Sequence, residues 1–240
     1  MGRPTTRIDV VVPAHDEHEL IGACLEALRL ARDRLLGTEP GVEVGVVVVL
    51  DASTDGTAEV VATSGLATTV VEIAEQNVGA ARRAGAEAAV ASPTSVPDAH
   101  RWLATTDADS RVDPSWLAVH LDALTSGVDV LLGTVRPDFD DLDEDGRRRW
   151  LETHPPGHLP GNVHGANLGV RLDAYRRIGG FAALAEHEDV DLVARARLAD
   201  LDVRATLAAP VITSGRRIGR TPGGYAAFLA SAYGARPARA

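Results

Sequence analysis

Two aspartates spaced one residue apart, Asp107 and Asp109, directly follow the apolar run Trp102 to Thr106. In an extended chain residues i and i+2 share a face, so two carboxylates are expected to converge there while Ala108 turns away. Such a pair either stands as a solvated acidic turn or is satisfied by a hard cation, Mg²⁺ or Mn²⁺, that also bridges to a diphosphate. A second acidic group, Glu186-His187-Glu188-Asp189-Val190-Asp191, stands where an amphipathic helix begins. A carboxylate in that place either caps the helix or acts as a general base, although the helix dipole keeps its pKa low, so geometry has to compensate. Asp51-Ala52-Ser53-Thr54-Asp55-Gly56-Thr57 packs polar groups and a glycine into a strand-to-helix turn, which can hydrogen-bond a base or simply close a loop. Pro13-Ala14-His15-Asp16-Glu17 ends the first apolar run, where an acidic pair serves as a helix cap as well as it serves a ligand.

These segments need elements to position them, and the hydrophobic pattern supplies them. Ile8 to Pro13 reads as a strand, followed by Leu20, Ile21, Cys24, Leu25 and Leu28 at helical spacing. Val44 to Leu50 is a run without alternation, as expected of a strand covered on both faces. Val70 to Ile73 and Trp102 to Thr106 read as further strands, and Thr57 to Ala62 and Asn77 to Ala91 as helices. Pro114 is expected to start another helix with Asp113 as its cap. Structure resumes at Ala166 to Arg171, with helices near Asp173 to Ile178 and from about Asp189 to Ala199. The alternation predicts an α/β fold with a doubly wound, mainly parallel sheet, whose ligands bind beyond the carboxyl ends of its strands. Arg136 to Gly165 breaks into Pro, Gly, Asp, His and Arg and reads as a functional or mobile loop, and the tail after Arg216 as weakly patterned.

Composition narrows the chemistry. At 240 residues and 45% hydrophobic content the chain suits one domain, 1–240, with a nucleotide-binding half at about 7–135 and an acceptor-side half at about 136–240. A net charge of −10 argues against nucleic acid as a partner. All 24 basic residues are arginine, which excludes a Walker-type lysine and a Schiff-base lysine. The single cysteine, Cys24, forms no internal disulfide and fits a packing role. No stretch approaches the roughly 18 apolar residues of a spanning helix, so a soluble, cytoplasmic protein is expected. Oligomeric state is not encoded in any pattern.

In their order along the chain, these segments resemble the family-2 glycosyltransferases of GT-A fold. Val11-Val12-Pro13-Ala14-His15-Asp16-Glu17 looks like the opening strand motif, and Asp51 to Thr57 is similar to the family's Asp-Asp-Gly-Ser-Thr-Asp-Gly-Thr. Asn77-Val78-Gly79-Ala80-Ala81-Arg82 looks like the Asn-x-Gly stretch, Asp107-Ala108-Asp109 like the Asp-x-Asp metal motif, and Gly179-Gly180-Phe181 with Glu188-Asp189 like the acceptor-side signature. The resemblance implies a metal-assisted, inverting transfer of a sugar from a nucleotide diphosphate to a hydroxyl acceptor. It implies donor contacts at Pro13, Glu17, Asp51, Asn77, Arg82, Asp107 and Asp109, with Asp109 on a Mn²⁺ or Mg²⁺ ion. It also implies acceptor-side positions at His164, Gly165, Asn167 and Gly180, and catalysis by Asp189 with Glu188 beside it.

Leu50 and Ala52 depart from the family pattern, and Thr213-Ser214-Gly215-Arg216-Arg217 stands where some GT-A enzymes place a metal-binding histidine. Arg216 or Arg217 either clamps diphosphate or faces solvent. The spacing of His154, His158 and His164 fits no common zinc site. His15, His18 and His187 read as solvated, Trp102 and Trp116 as core, and Trp150 either stacks on a sugar or seats its loop. Two rival functions are a nucleotide-sugar-binding protein without transfer, and a sugar nucleotidyltransferase. The latter would want a Gly-rich basic loop where Asp16 and Glu17 stand.

Overall fold

The computed structural model describes residues 5–157, 159, 161–219 and 223–233. Strands β1 (Thr6–Ala14), β2 (Val42–Asp51), β3 (Thr69–Ile73) and β4 (Arg101–Thr105) pair in parallel in the order β3-β2-β1-β4. The short β5 (Ser110–Arg111), β6 (Val130–Leu132) and β7 (Val135–Pro137) follow, then β8 (Leu168–Arg171), β9 (Val203–Ala205) and β10 (Val211–Thr213). β8 lies antiparallel between β4 and β6, and β9 closes the seven-stranded sheet in parallel with β6. β5, β10 and β7 form a separate three-stranded sheet. This is the expected α/β architecture with a mainly parallel sheet, crossed by one antiparallel strand.

Helices cover both faces. The unbroken apolar run in β2 explains itself: Val46, Val48 and Leu50 join the core under α1 (Ile21–Thr38), α2 (Thr57–Ser64) and α4 (Trp116–Thr125). Val47 and Val49 face the opposite core, beneath α3 (Val78–Ala91), α6 (Leu172–Arg177) and α7 (Glu188–Leu198). Successive side chains of a strand point to opposite faces, so a strand buried on both sides must be apolar throughout. Cys24 is 1% exposed in the first core, and burial raises its thiol pKa, as a packing residue requires. No helix of the described residues is long and apolar enough to cross a membrane.

Three expectations are corrected. The segment from 136 to 165 is ordered for half its length: β7 and a 3₁₀ turn at Phe139–Asp141 lead into α5 (Glu144–Thr153), capped by Asp143, whose side chain accepts from Gly146 N at 2.7 Å. α5 is polar nearly all round, burying only Gly146 and Trp150, so it carries no readable apolar stripe. The tail holds α8 (Tyr225–Tyr233), which buries Ala226, Leu229 and Tyr233. Trp150 stacks on His154, with ring centroids 4.2 Å apart, and joins Leu229 and Tyr233 in a third, small core that seats α5 on α8. Asp113 does not cap α4 directly: it accepts from Ser115 N at 2.8 Å, and the helix starts one residue later at Trp116. His158 lies outside the described residues.

Trp102 and Trp116 are core residues, 0% and 1% exposed, and both lean on His120. Trp102 Nε1 donates to His120 Nδ1 at 2.9 Å, and burial pushes the imidazole down to about 3 from 6.5. Below about pH 6.5 the unfolded chain takes up a proton here that the folded chain refuses, so this site removes stability as the pH falls. The wild type should lose stability on acidification more steeply than His120→Gln, by up to about 1.4 kcal/mol per pH unit, because glutamine can still accept from Trp102 without titrating. Urea unfolding of both proteins between pH 7 and pH 5 measures the two slopes, and parallel slopes would refute the assignment.

Candidate active site

The order β3-β2-β1-β4 reverses direction between β1 and β4, and the crevice beyond the carboxyl ends of such strands is where open α/β sheets bind ligands. A cleft of about 470 Å³ lies there, lined by Pro13, Glu17, Asp51, Asn77, Asp107 and Asp109 among others. Six of the seven donor-side positions expected from sequence are therefore brought to one cavity. A second cleft of about 610 Å³ adjoins it, lined by His164, Gly165, Glu188 and Asp189, with Arg82 in its wall. Val78, Asp107, Thr213 and Tyr225 line both, so the two clefts meet at Asp107.

The ends of β1, β2 and β3, and the start of α7, turn sharply beside the clefts. Asp16, Ala52, Gln76 and His187 all adopt left-handed backbone, with φ of 48°, 52°, 49° and 62°. Ala52 stands where the resembling motif has glycine, which reaches this conformation without the steric cost a Cβ imposes. Asp51 is 3% exposed, and its carboxylate accepts from the backbone N–H groups of Glu75 (2.7 Å), Gln76 (2.8 Å) and Asn77 (2.7 Å). It thereby fixes the loop that opens α3, whose cap is Asn77, accepting from Ala80 N at 2.9 Å. His15 lines the first cleft, and its Nδ1 lies 2.6 Å from Asp51 O.

Asp107 and Asp109 do not continue β4 as extended residues. The strand ends at Thr105, and the pair sits in a turn closed by Ser110 N donating to Asp107 O at 3.0 Å. The turn still buries Ala108 and leaves both carboxylates on the first cleft. Asp109 is held by Thr213 Oγ1 and Ser110 Oγ, each at 3.3 Å from Oδ1, and by Arg216 Nη2 at 2.9 Å from Oδ2. Burial and the neighbouring Asp107 push its pKa up to about 6, opposed by Arg216 and reinforced by Glu17.

Arg82 joins the two clefts. Its guanidinium, 4% exposed, pairs with Asp107 and with Glu188, which is itself 3% exposed. Gly165 makes room for it, since a Cβ there would lie 2.5 Å from Arg82 Cζ. Glu188 is thus spent on Arg82, whereas Asp189 opens onto the second cleft, its Oδ2 accepting from Gly165 N at 2.6 Å. His164 lines that cleft too, and burial lowers its pKa against the pull of Asp189 and Asp107.

Two expected acceptor-side residues are framework. Asn167, 2% exposed, accepts from Trp116 Nε1 at 2.8 Å and donates to Thr134 O at 2.9 Å. Gly180, with φ of 69°, packs against the Tyr175 ring, and its carbonyl accepts from Arg195 at 2.7 Å. Residues the sequence reading placed elsewhere are His15, read as solvated, and Thr213 and Tyr225, read without a role. Ala226, Leu229 and Tyr233 at helical spacing were the signal for α8, and hence for Tyr225.

The donor chemistry for a cation is present. Glu17, Asp107, Asp109 and Glu188 gather four carboxylates around the guanidinium groups of Arg82 and Arg216. Hard oxygen ligands of this kind fit a hard divalent ion. Among the described residues no three His, Cys, Asp or Glu side chains form a metal-binding group, and Arg216 takes up Asp109 Oδ2.

The family model for glycosyl transferase family 2 matches residues 9–181, and the chain belongs to that family. Its fold is that of GT-A enzymes. The chain is similar to a mannosyltransferase, PcManGT from Pyrobaculum calidifontis, solved in complex with GDP-Man and Mn²⁺, at 20% identity and a TM-score of 0.66 over 91% of this chain and 59% of that one. It is similar to TarS from S. aureus, at 15% identity and 0.62 over 88% of this chain and 61% of that one. A third likeness is to glucosyl-3-phosphoglycerate synthase from Mycobacterium tuberculosis, solved with Mn²⁺, UDP and glucosyl-3-phosphoglycerate, at 16% identity and 0.60 over 99% of this chain and 82% of that one. The chain thus spans about 60% of the length of the first two. No curated protein matches the sequence.

Removing Arg82 strands two carboxylates, one of them deeply buried. Arg82→Gln should lower unfolding free energy by about 3–5 kcal/mol, the usual cost of breaking a buried pair by deleting one partner. Arg83→Gln, which breaks only an exposed pair with Glu87, should leave stability nearly unchanged. Chemical denaturation of both variants makes the comparison, and equal losses would contradict the role given to Arg82.

Proposed function

We propose that the protein transfers a sugar from a nucleotide diphosphate to a hydroxyl acceptor, with inversion and with a divalent cation. The observation that carries this reading is the meeting of two clefts at Asp107. One is ringed by the expected donor residues, and the other holds Asp189, so a donor sugar projecting past Asp107 would face a carboxylate across the junction.

In this reading the first cleft takes the nucleotide, and Asp109 with Asp107 holds the cation. The Mn²⁺ recorded with the mannosyltransferase and the synthase supports that choice. A bound cation would neutralise charge developing on the departing diphosphate. Asp189 accepts the acceptor hydroxyl proton as that oxygen bonds to C1 of the sugar and the C1–diphosphate bond breaks on the opposite face. Gly165 N holds one Asp189 oxygen, and Val190 N bonds the other at 2.7 Å, so the carboxylate is oriented before substrate arrives. Glu188 orients Arg82 rather than touching the proton. The donor sugar, the base and the acceptor's identity are left to pocket shape, and a thermal-shift screen of sugar nucleotides with Mn²⁺ would identify the donor, since ligands of the folded state raise its stability.

Two variants separate binding from chemistry. Asp109→Ala should abolish Mn²⁺-dependent binding of nucleoside diphosphate in calorimetry. Asp189→Asn keeps the shape and removes proton acceptance, so kcat should fall by a factor on the order of 10² to 10⁴ with nucleotide affinity unchanged. Near-normal turnover by Asp189→Asn would overturn the base assignment. Equal nucleotide affinity in chelator and in Mn²⁺ would overturn the role of the cation.

A further inference from the structure

Beyond β10 the chain crosses the mouth of the first cleft as a short strap, residues 214–219. Both flanks of Arg216 are pinned. Ser214 N donates to Asp109 O at 3.1 Å, Gly215 N to Asp141 Oδ2 at 2.7 Å, and Arg217 pairs with Asp143 at 2.9 Å. The fit at Gly215 is close, for a Cβ there would lie 2.7 Å from Asp141 Cβ and 2.9 Å from Asp138 O.

Between these anchors the Arg216 side chain turns into the cleft. Nη1 and Nη2 donate to the two Glu17 oxygens at 2.9 and 2.7 Å, and Nη2 also lies 2.9 Å from Asp109 Oδ2. Glu17 is held in turn by its backbone N–H on Thr57 Oγ1 at 2.8 Å. Asp109 Oδ1 is already engaged by Ser110 and Thr213. A cation approaching Asp109 therefore meets a guanidinium at the more open oxygen. Arg216 keeps 30% of its side-chain surface exposed, against 8% for Glu17 and 13% for Asp109.

We propose that Arg216 is an internal counter-ion that competes with the divalent cation for Asp109 and, once displaced, binds the diphosphate, so that cation and nucleotide are held tightly only together. This rests on the donor reading of the first cleft. A cation arriving alone must break the Arg216–Asp109 pair and then sits beside the guanidinium it displaced, like charge against like. A diphosphate arriving alone faces Glu17, Asp107 and Asp109, with the Arg216 guanidinium already engaged by two of them. When both arrive, the cation takes Asp109 and the released guanidinium finds phosphate oxygens, a pairing its planar fork suits. Each ligand removes the cost the other would meet, which is positive coupling between two sites and must be reciprocal.

Calorimetric titration of Mn²⁺ into the full chain, without nucleotide and with saturating UDP or GDP, tests this. In the wild type, nucleotide should tighten Mn²⁺ binding on the order of tenfold or more, within the usual span of coupling between sites. Arg216→Gln should bind Mn²⁺ more tightly than wild type in the absence of nucleotide, on the order of tenfold, bind nucleotide more weakly at saturating Mn²⁺, and lose most of the coupling. Arg216→Lys keeps the charge without the fork and should fall between, which guards against a glutamine variant that folds poorly; melting curves of all three establish folding. Unchanged or weaker Mn²⁺ binding by nucleotide-free Arg216→Gln and Arg216→Lys would overturn this inference alone. A wild type that binds neither Mn²⁺ nor nucleotide in any combination would overturn it together with the donor reading.

Discussion

Carboxylates gathered at the ends of parallel strands repel one another, and how that repulsion is neutralised governs the rest of this protein. Two arginines do it from opposite sides. Arg82 reaches up from α3 to bind Asp107 and Glu188, and Arg216 reaches in from the strap to bind Glu17 and Asp109. The first is buried and permanent, since nothing could replace it without stranding Glu188 in the interior. The second is partly exposed and lies on the wall of the first cleft.

The backbone around this network is correspondingly constrained. Asp51, a carboxylate deep in the site, spends itself on three backbone N–H groups and so shapes the loop before α3. Four non-glycine residues take left-handed conformations at the rim. Such conformations cost of order 1–3 kcal/mol each and persist only where the surroundings impose them. Asp16, for example, accepts at 2.7 Å from Thr54 N, tying the end of β1 to the turn after β2.

The sheet was largely legible in sequence because Val46 to Leu50 must be apolar at every position to serve two cores. The first cleft was legible because its residues sit at strand ends, where local pattern and topology agree. Asp107 and Asp109 converge as expected, though through a turn rather than through strand alternation. What pattern could not show was pairing at a distance: nothing near Arg82 or Glu188 announces the other, so Glu188 reads as a catalytic neighbour when it is a buried anchor. Asn167 and Gly180 read as acceptor contacts for a similar reason, since their partners Trp116, Thr134 and Tyr175 lie elsewhere in the chain. α5 was hidden because Asp143 to Arg149 lack an apolar stripe, and Trp150 is the one large apolar side chain the helix buries.

That connection has an evolutionary consequence. α5 and α8 share a small core of Trp150, Leu229 and Tyr233, separate from the two cores that hold the sheet. α8 also presents Tyr225 to both clefts and Phe228 to the second alone. The pair behaves as a cassette: substitutions within it can reshape the wall of the second cleft while the sheet beneath keeps its register. A lineage could then vary the nineteen residues of α5 and α8 without touching the strand ends that carry Asp51, Asp107 and Asp109.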